Sequence, residues 1–294
     1  MSTEKTRRDQ IAGLPVTRRR DFLVGTIGMA ASSFLVASPS PSPSPSPVTA
    51  YELDLNDPAT NLQAFVKLTG SLDSEPVYDI VRGSVYGLVA GQAAVPLFKT
   101  VGAGSSIYSC RSALEYRAQT RYIGMFLDWE TEEPLDKWNN PYTGETCDVP
   151  VTRYGPGEVR ILGDQILPVT VATQYAPSGK RPWFKLGSVV HMQREILSPA
   201  SPMPLFPKAD LMTYSGDWQQ LADPNLKRIP SRLNFSAVET WREWMNMVSG
   251  EQPTGTLWWQ VSGVKLDRPA DYPAQLRQRL RREDPDFFVP GSIT

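Results

Sequence analysis

Cysteine and histidine are scarce in this chain: only Cys110, Cys147 and a single histidine, His191, occur in 294 residues. With one imidazole and no Cys-x-x-Cys pair, the usual ligand set of a zinc site is missing. The two thiols leave a disulfide and a pair of free cysteines both open, because sequence does not give their separation. No glycine-rich phosphate loop follows a strand pattern, so a nucleotide cofactor has no cradle. No Gly-x-Ser-x-Gly is present, which argues against a hydrolase built on a nucleophile elbow. The expectation is a protein that works without cofactor or metal.

Long apolar runs are missing as well. The weakly apolar stretch from Val24 to Ala37 is shorter than the roughly 20 residues a membrane-spanning helix needs. It follows Arg18-Arg19-Arg20-Asp21-Phe22-Leu23, a twin-arginine pattern, and precedes strict Ser-Pro alternation from Ser38 to Pro47. Residues 1–37 therefore read as a twin-arginine signal segment and 38–50 as a stiff, extended Ser/Pro linker. Cleavage is expected after Ala37 or after Ala50. The chain is then exported folded by the twin-arginine machinery to the periplasm, with no stable membrane span after processing. Residues 51–294 are long enough for one β-rich domain. Removing a leader with six basic and three acidic residues leaves 24 basic and 28 acidic ones. That acidic balance excludes the concentrated basic face nucleic acid would need.

The remainder alternates apolar and polar residues. Asp57-Pro58 opens a short helix as N-cap and first helical residue, with Leu62, Phe65 and Val66 on one face and Gly70 as its stop. Short runs rich in β-branched and aromatic residues follow at 77–89, 93–100, 107–117, 121–129, 159–173, 182–192 and 256–265, separated by Gly, Pro or Asn. The fold class expected is mainly β: a bent antiparallel sheet or barrel. Ser236 and Glu239 have capping-box spacing ahead of Trp241, Trp244, Met245 and Val248, which predicts a helix ending at Gly250. A last helix, basic outside with Leu276 and Leu280 inward, is expected near 274–283. The proline-studded stretch between His191 and Pro230 reads as a long ordered loop across the sheet.

The order of these motifs resembles a family. The twin-arginine leader, the Asp-Pro helix, RGSVYG, LDWETEEPLDKWNNPYTGE, WREWMNM and GTLWWQVSGVKL, followed by a Pro-flanked helix, are similar to a bacterial family catalogued only as a domain of unknown function. The resemblance spans roughly residues 57–290 and is most specific over Asn140 to Glu145. It implies no particular activity. Where relatives carry Val-x-x-His after that stretch, this chain has Val149 followed by Pro150, Val151 and Thr152.

Residue chemistry supplies the site candidates. Tyr142 sits in a Pro-Thr-Gly turn that needs no phenol, so the ring is expected to pack inward as acid, base or oxyanion donor. Asp128 ends an apolar strand, where desolvation would raise its pKa toward that of a general base. His191 is the one side chain that ordinarily titrates near neutrality. Arg82, Arg117 and Lys265 fall inside strands, where charge is costly unless paired or facing a wet cavity. Asn140, Trp244 and Trp258 complete a candidate binding set. The expected function is a cofactor-independent lyase or isomerase moving a proton on a small hydrophobic molecule, aromatic or terpenoid. The competing reading is a non-catalytic, lipocalin-like carrier. Two or more titratable groups converging inside a cavity would mark the first, and an apolar cavity with a polar rim the second.

Overall fold

The computed structural model describes residues 52–163, 165–168, 182–198, 208–247 and 255–289. The leader and the Ser/Pro linker lie outside them. Twelve strands and three helices follow in chain order: α1 (Pro58–Thr69), β1 (Val77–Leu88), β2 (Val95–Ser112), β3 (Glu115–Leu127), β4 (Lys137–Asn139), β5 (Thr146–Asp148), β6 (Thr152–Leu162), β7 (Gln165–Pro168), β8 (Trp183–Leu186), β9 (Val189–Ser198), β10 (Lys208–Asp217), α2 (Trp218–Ala222), β11 (Arg232–Thr240), β12 (Thr256–Leu266) and α3 (Ala274–Glu283). Ten strands form one sheet in the order β7-β6-β3-β2-β1-β12-β11-β10-β9-β8. Every neighbouring pair is antiparallel.

β1 and β12 are central, so the sheet consists of two meandering arms joined where the first strand pairs with the last. Both arms curl toward the same face. Ile161 on β6 and Met192 on β9, from opposite arms, pack into one cluster with Leu62, Phe65, Val66 and Leu68 of α1. The sheet remains open, ending at β7 and β8 rather than closing into a barrel. Of the two forms the sequence allowed, the bent sheet is the one adopted.

α1 plugs one end of the concave face for the reasons its sequence gives. Asp57 Oδ2 accepts from the Thr60 amide at 2.8 Å, Pro58 needs no donor at the first position, and the helix stops at Gly70. A β-carbon at Gly70 would overlap the Tyr108 ring of β2. Two lysines fasten this plug. Lys67 Nζ donates to the carbonyls of Leu221 and Asp223, both at 2.6 Å, and Lys265 Nζ donates to those of Lys67 at 2.8 Å and Gly70 at 3.1 Å. Carbonyls at the ends of α2 and α1 that no helical amide reaches are thereby satisfied.

Phe98, Phe126, Trp138, Trp244 and Met245 close the other end of the concave face, with ring centroids of Phe98 and Trp138 4.7 Å apart. On the convex face, α3 and the segment after it cover Tyr78, Ala103 and Ile123 through Leu280 and Phe287.

Three expectations are corrected. Residues 232–240 form strand β11, and only Glu243–Met245 makes a turn of 3-10 helix. The Ser236–Glu239 spacing is coincidental: pairing on both sides, to β10 and β12, gives the segment a period of two. Val248 and Gly250 lie outside the described residues. The supposed loop from 192 to 230 is mostly β9, β10 and α2, with residues 199–207 outside the described set. Residues 95–100 and 107–112 of two expected runs belong to one 18-residue strand, β2, continuous through Gly102-Ala103-Gly104, which had read as a separator, while residues 115–117 open β3. The two cysteines are free thiols, Cys147 buried and Cys110 exposed.

Candidate functional site

Between the α1 plug and the aromatic plug lies a cavity of about 340 Å³ on the concave face. Its floor is shaped by glycine. Gly102 of β2 stands opposite Gly124 of β3 and Val81 of β1, while Gly104 stands opposite Asp79. A β-carbon at Gly102 would overlap the Tyr122 hydroxyl, and one at Gly104 would overlap Asp79 Oδ1. From Gly124 a β-carbon would meet the other edge of the Tyr122 ring at 2.9 Å. The Tyr122 ring therefore lies down on the backbone of β2 and β3, with one face turned to the cavity. Glycine in the strand interior costs packing and entropy, and here it makes room for functional side chains.

Alternation along VYDIV puts Val77, Asp79 and Val81 on the concave face and Tyr78 and Ile80 under α3. Asp79 is thus a carboxyl in an apolar row, and what accessible surface it keeps faces the cavity it lines. Burial pushes its pKa up from 3.8 to about 6. The Tyr122 phenol is raised above its ordinary value chiefly by burial, then by Asp79 and Tyr154, with Arg242 opposing. Tyr214 of β10 is also raised, first by burial, with Arg194 opposing and Tyr108 and Asp79 adding. Both phenols feel the same carboxyl, so Asp79, Tyr122 and Tyr214 form one electrostatic group. Farther along the wall, Arg242 pairs with Glu239 at 2.5 Å and lies 5.3 Å from the Trp259 ring centroid. Asp210, 5 % exposed, lines the cavity from β10. Met212, Leu233, Phe235 and Val261 add apolar wall, and Thr100, Thr152 and Tyr154 add hydroxyl-bearing side chains. Among the described residues no three His, Cys, Asp or Glu side chains group closely enough to hold a metal ion.

Such a site can bind a small, largely apolar molecule and exchange a proton with it. Asp79 is poised to take one, and a phenol beside it can hold a developing oxyanion.

The residues singled out from sequence lie elsewhere, and none of them lines this cavity. Tyr142 does pack inward, 5.4 Å from Trp241 and against Gly87, but in the aromatic plug; its buried hydroxyl has no hydrogen-bond partner among the described residues. Asp128 caps a turn, accepting from the amides of Thr131 at 2.8 Å and Glu130 at 3.0 Å. Those donors hold its carboxyl below the ordinary range, the reverse of the direction expected from its sequence position. His191 stacks on Phe184 at 4.8 Å and shares a hydrogen bond with Ser215 at 2.8 Å. Arg82 pairs with Glu132, and Arg117 pairs with Glu158 at 3.0 Å and Glu115 at 3.8 Å. Lys265, pushed down to about 7 by burial, is the fastener of α1 described above. Trp244 belongs to the aromatic plug, and Trp258 packs on Tyr86 at 5.4 Å.

Asn140 is the staple of the WNNPYTGE hairpin. Its side chain, 1 % exposed, donates to the Met245 carbonyl at 2.8 Å and accepts from the Tyr142 amide at 2.8 Å. It ties the β4–β5 turn to the segment that closes the cavity. Asn140→Ala is expected to cost about 2–3 kcal/mol in denaturant unfolding, because a buried carbonyl and an amide each lose a partner. A loss below about 0.5 kcal/mol would remove this role.

Sequence reasoning missed Asp79, Tyr122, Asp210, Tyr214, Glu239 and Arg242. The available signal was a lone carboxylate inside a β-branched run, together with glycines at alternate strand positions.

A family model described as "Protein of unknown function (DUF1838)" matches residues 75–292, and the chain belongs to that family. No curated protein matches the chain. Among solved structures, a LolA superfamily protein, NE2245 from Nitrosomonas europaea, is similar at 8% identity, covering 73% of this chain and 94% of that one, with a TM-score of 0.16. That likeness is too low to bear on fold or function.

Proposed function

We propose that this DUF1838 protein binds a small, mostly hydrophobic molecule in the concave cavity and catalyses cofactor-independent proton transfer on it, giving a lyase or isomerase outcome. One observation carries the reading: a carboxyl with a raised pKa, Asp79, shares a largely apolar cavity with the Tyr122 and Tyr214 phenols. Asp79 takes the proton. Tyr122 donates to the oxygen on which negative charge develops, and the Glu239–Arg242 pair fixes the wall beside Trp259. Tyr142, Asp128 and His191 take no part in the step. The twin-arginine pattern supports action in the periplasm.

The second reading, a carrier, is favoured by the aliphatic and aromatic share of the wall. Turnover and solvent-deuterium exchange on a panel of aromatic and terpenoid molecules separate the two. Asp79→Asn is expected to lower kcat about 10²–10⁴-fold, the range of a general base. Because the base must be ionised, wild-type kcat/KM should rise with pH through about 6. Tight retention of a panel member with no exchange by the wild type would leave the carrier.

A further inference from the structure

The ligand's charge is set by what faces Asp79. β1 contributes Asp79 itself, β3 Tyr122, β6 Tyr154, β10 Asp210 and Tyr214, and β11 Glu239, with Arg242 just beyond it. β12 places Lys265 directly across from Asp79, but its ammonium is turned to the Lys67 and Gly70 carbonyls, and β9 brings Arg194 close enough to Tyr214 to oppose its shift. Arg242 is engaged by Glu239 and Trp259, Lys265 is engaged by α1 carbonyls, and Asp210 is partnered, so Asp79 is the carboxyl on this wall left for a ligand. Asp79 has no ion-pair partner among the described residues, and burial is the whole cause of its raised pKa. Beside it, Tyr122 presents a ring face rather than an edge, because Gly102 and Gly124 let the ring lie flat on the sheet. A carboxylate without a counter-ion next to an aromatic face is the pairing that attracts an organic cation. An anion would meet like charge in a low-dielectric wall.

Resting on the reading of this cavity as the ligand site, we propose that its occupant is an organic cation: an apolar or aromatic body bearing an ammonium group, seated between the Asp79 carboxylate and the Tyr122 ring face. The same charge favours proton transfer, since a positive group makes an adjoining C–H or N–H more acidic.

The test titrates the full chain by tryptophan fluorescence with three probes of one shape class: benzyltrimethylammonium, its uncharged carbon isostere neopentylbenzene, and phenylacetate. The fixed charge of the first keeps the ligand from titrating. Near pH 8 the cation is expected to bind at least tenfold tighter than the isostere, with phenylacetate weakest. Below about pH 6 the cation must displace the Asp79 proton, so its affinity should fall about tenfold per pH unit while that of the isostere stays level. Asp79→Asn should equalise cation and isostere without weakening the isostere. Equal or tighter binding of the isostere, or preference for phenylacetate, overturns the charge assignment and leaves the cavity reading standing. Binding of none of the three overturns both.

Discussion

Asp79→Asn is expected to stabilise the protein at neutral pH even as it removes the proposed general base. The carboxyl has a folded pKa of about 6 against an ordinary 3.8, because burial penalises its charged form. Between those two values the folded state binds more protons than the unfolded one, so wild-type stability falls as pH rises from about 4 to about 6 and stays lowered above. Asparagine, nearly the same shape, carries no such cost. The variant should therefore match the wild type near pH 4 and exceed it near pH 7.5. Two pKa units correspond to about 3 kcal/mol, and the cavity-facing surface of Asp79 reduces this to on the order of 2 kcal/mol. For a chain of this size that is a rise in Tm of about 4–8 °C. Urea unfolding at both pH values, with Tm beside it, reads the effect directly. A merely structural aspartate would behave in the opposite way, and a variant less stable near pH 7.5 would show that Asp79 is held by partners in the fold. Functional carboxyls kept in apolar surroundings commonly trade stability for activity in this manner.

The parts of the fold readable from sequence are those in which local chemistry and tertiary position agree. Asp57, Pro58 and Gly70 bound α1 because capping and backbone freedom act within a few residues. The runs at 77–89 and 256–265 become β1 and β12 nearly residue for residue, since strands paired on both sides keep their β-branched and aromatic content. Residues 232–247 misled because Trp241, Trp244 and Met245 have helical spacing, whereas the hydrogen bonds that decide the segment come from β10 and β12, distant in sequence. The site was less legible for a related reason. Asp79 in VYDIV faces either side until the register with Gly104 and Lys265 is known, and a one-residue slip would put it under α3. Tyr142 and Asn140 were conspicuous because a turn does not require them, and in the fold they hold the aromatic plug that closes one end of the cavity. The WNNPYTGE stretch is thus a bend with a purpose, fastening the wall rather than supplying the reacting groups.

The glycine floor supplies the other large effect. Gly102→Ala places a methyl group where the Tyr122 hydroxyl and ring carbons already lie. The backbone there is paired on both sides, to Val81 and to Gly124, so the ring must lift into the cavity. Overpacking of this kind costs about 1–3 kcal/mol, and the lifted ring fills the space a ligand needs, so binding should weaken by at least tenfold. In a Tyr122→Ala background the methyl meets no ring, and the ordinary preference of a strand for alanine over glycine returns. The same substitution should then stabilise by about 0.5–1 kcal/mol. The sign change between backgrounds is the diagnostic, and a double-mutant cycle in urea measures it as a coupling of about 1.5–4 kcal/mol. If Gly102→Ala carries the same cost with and without Tyr122, the ring does not rest on the β2 backbone, and the acid–base site loses the geometry that puts Asp79 and the phenol in one enclosure. A coupling of the expected size with catalysis unchanged would instead detach Tyr122 from the chemistry while leaving its place in the floor intact.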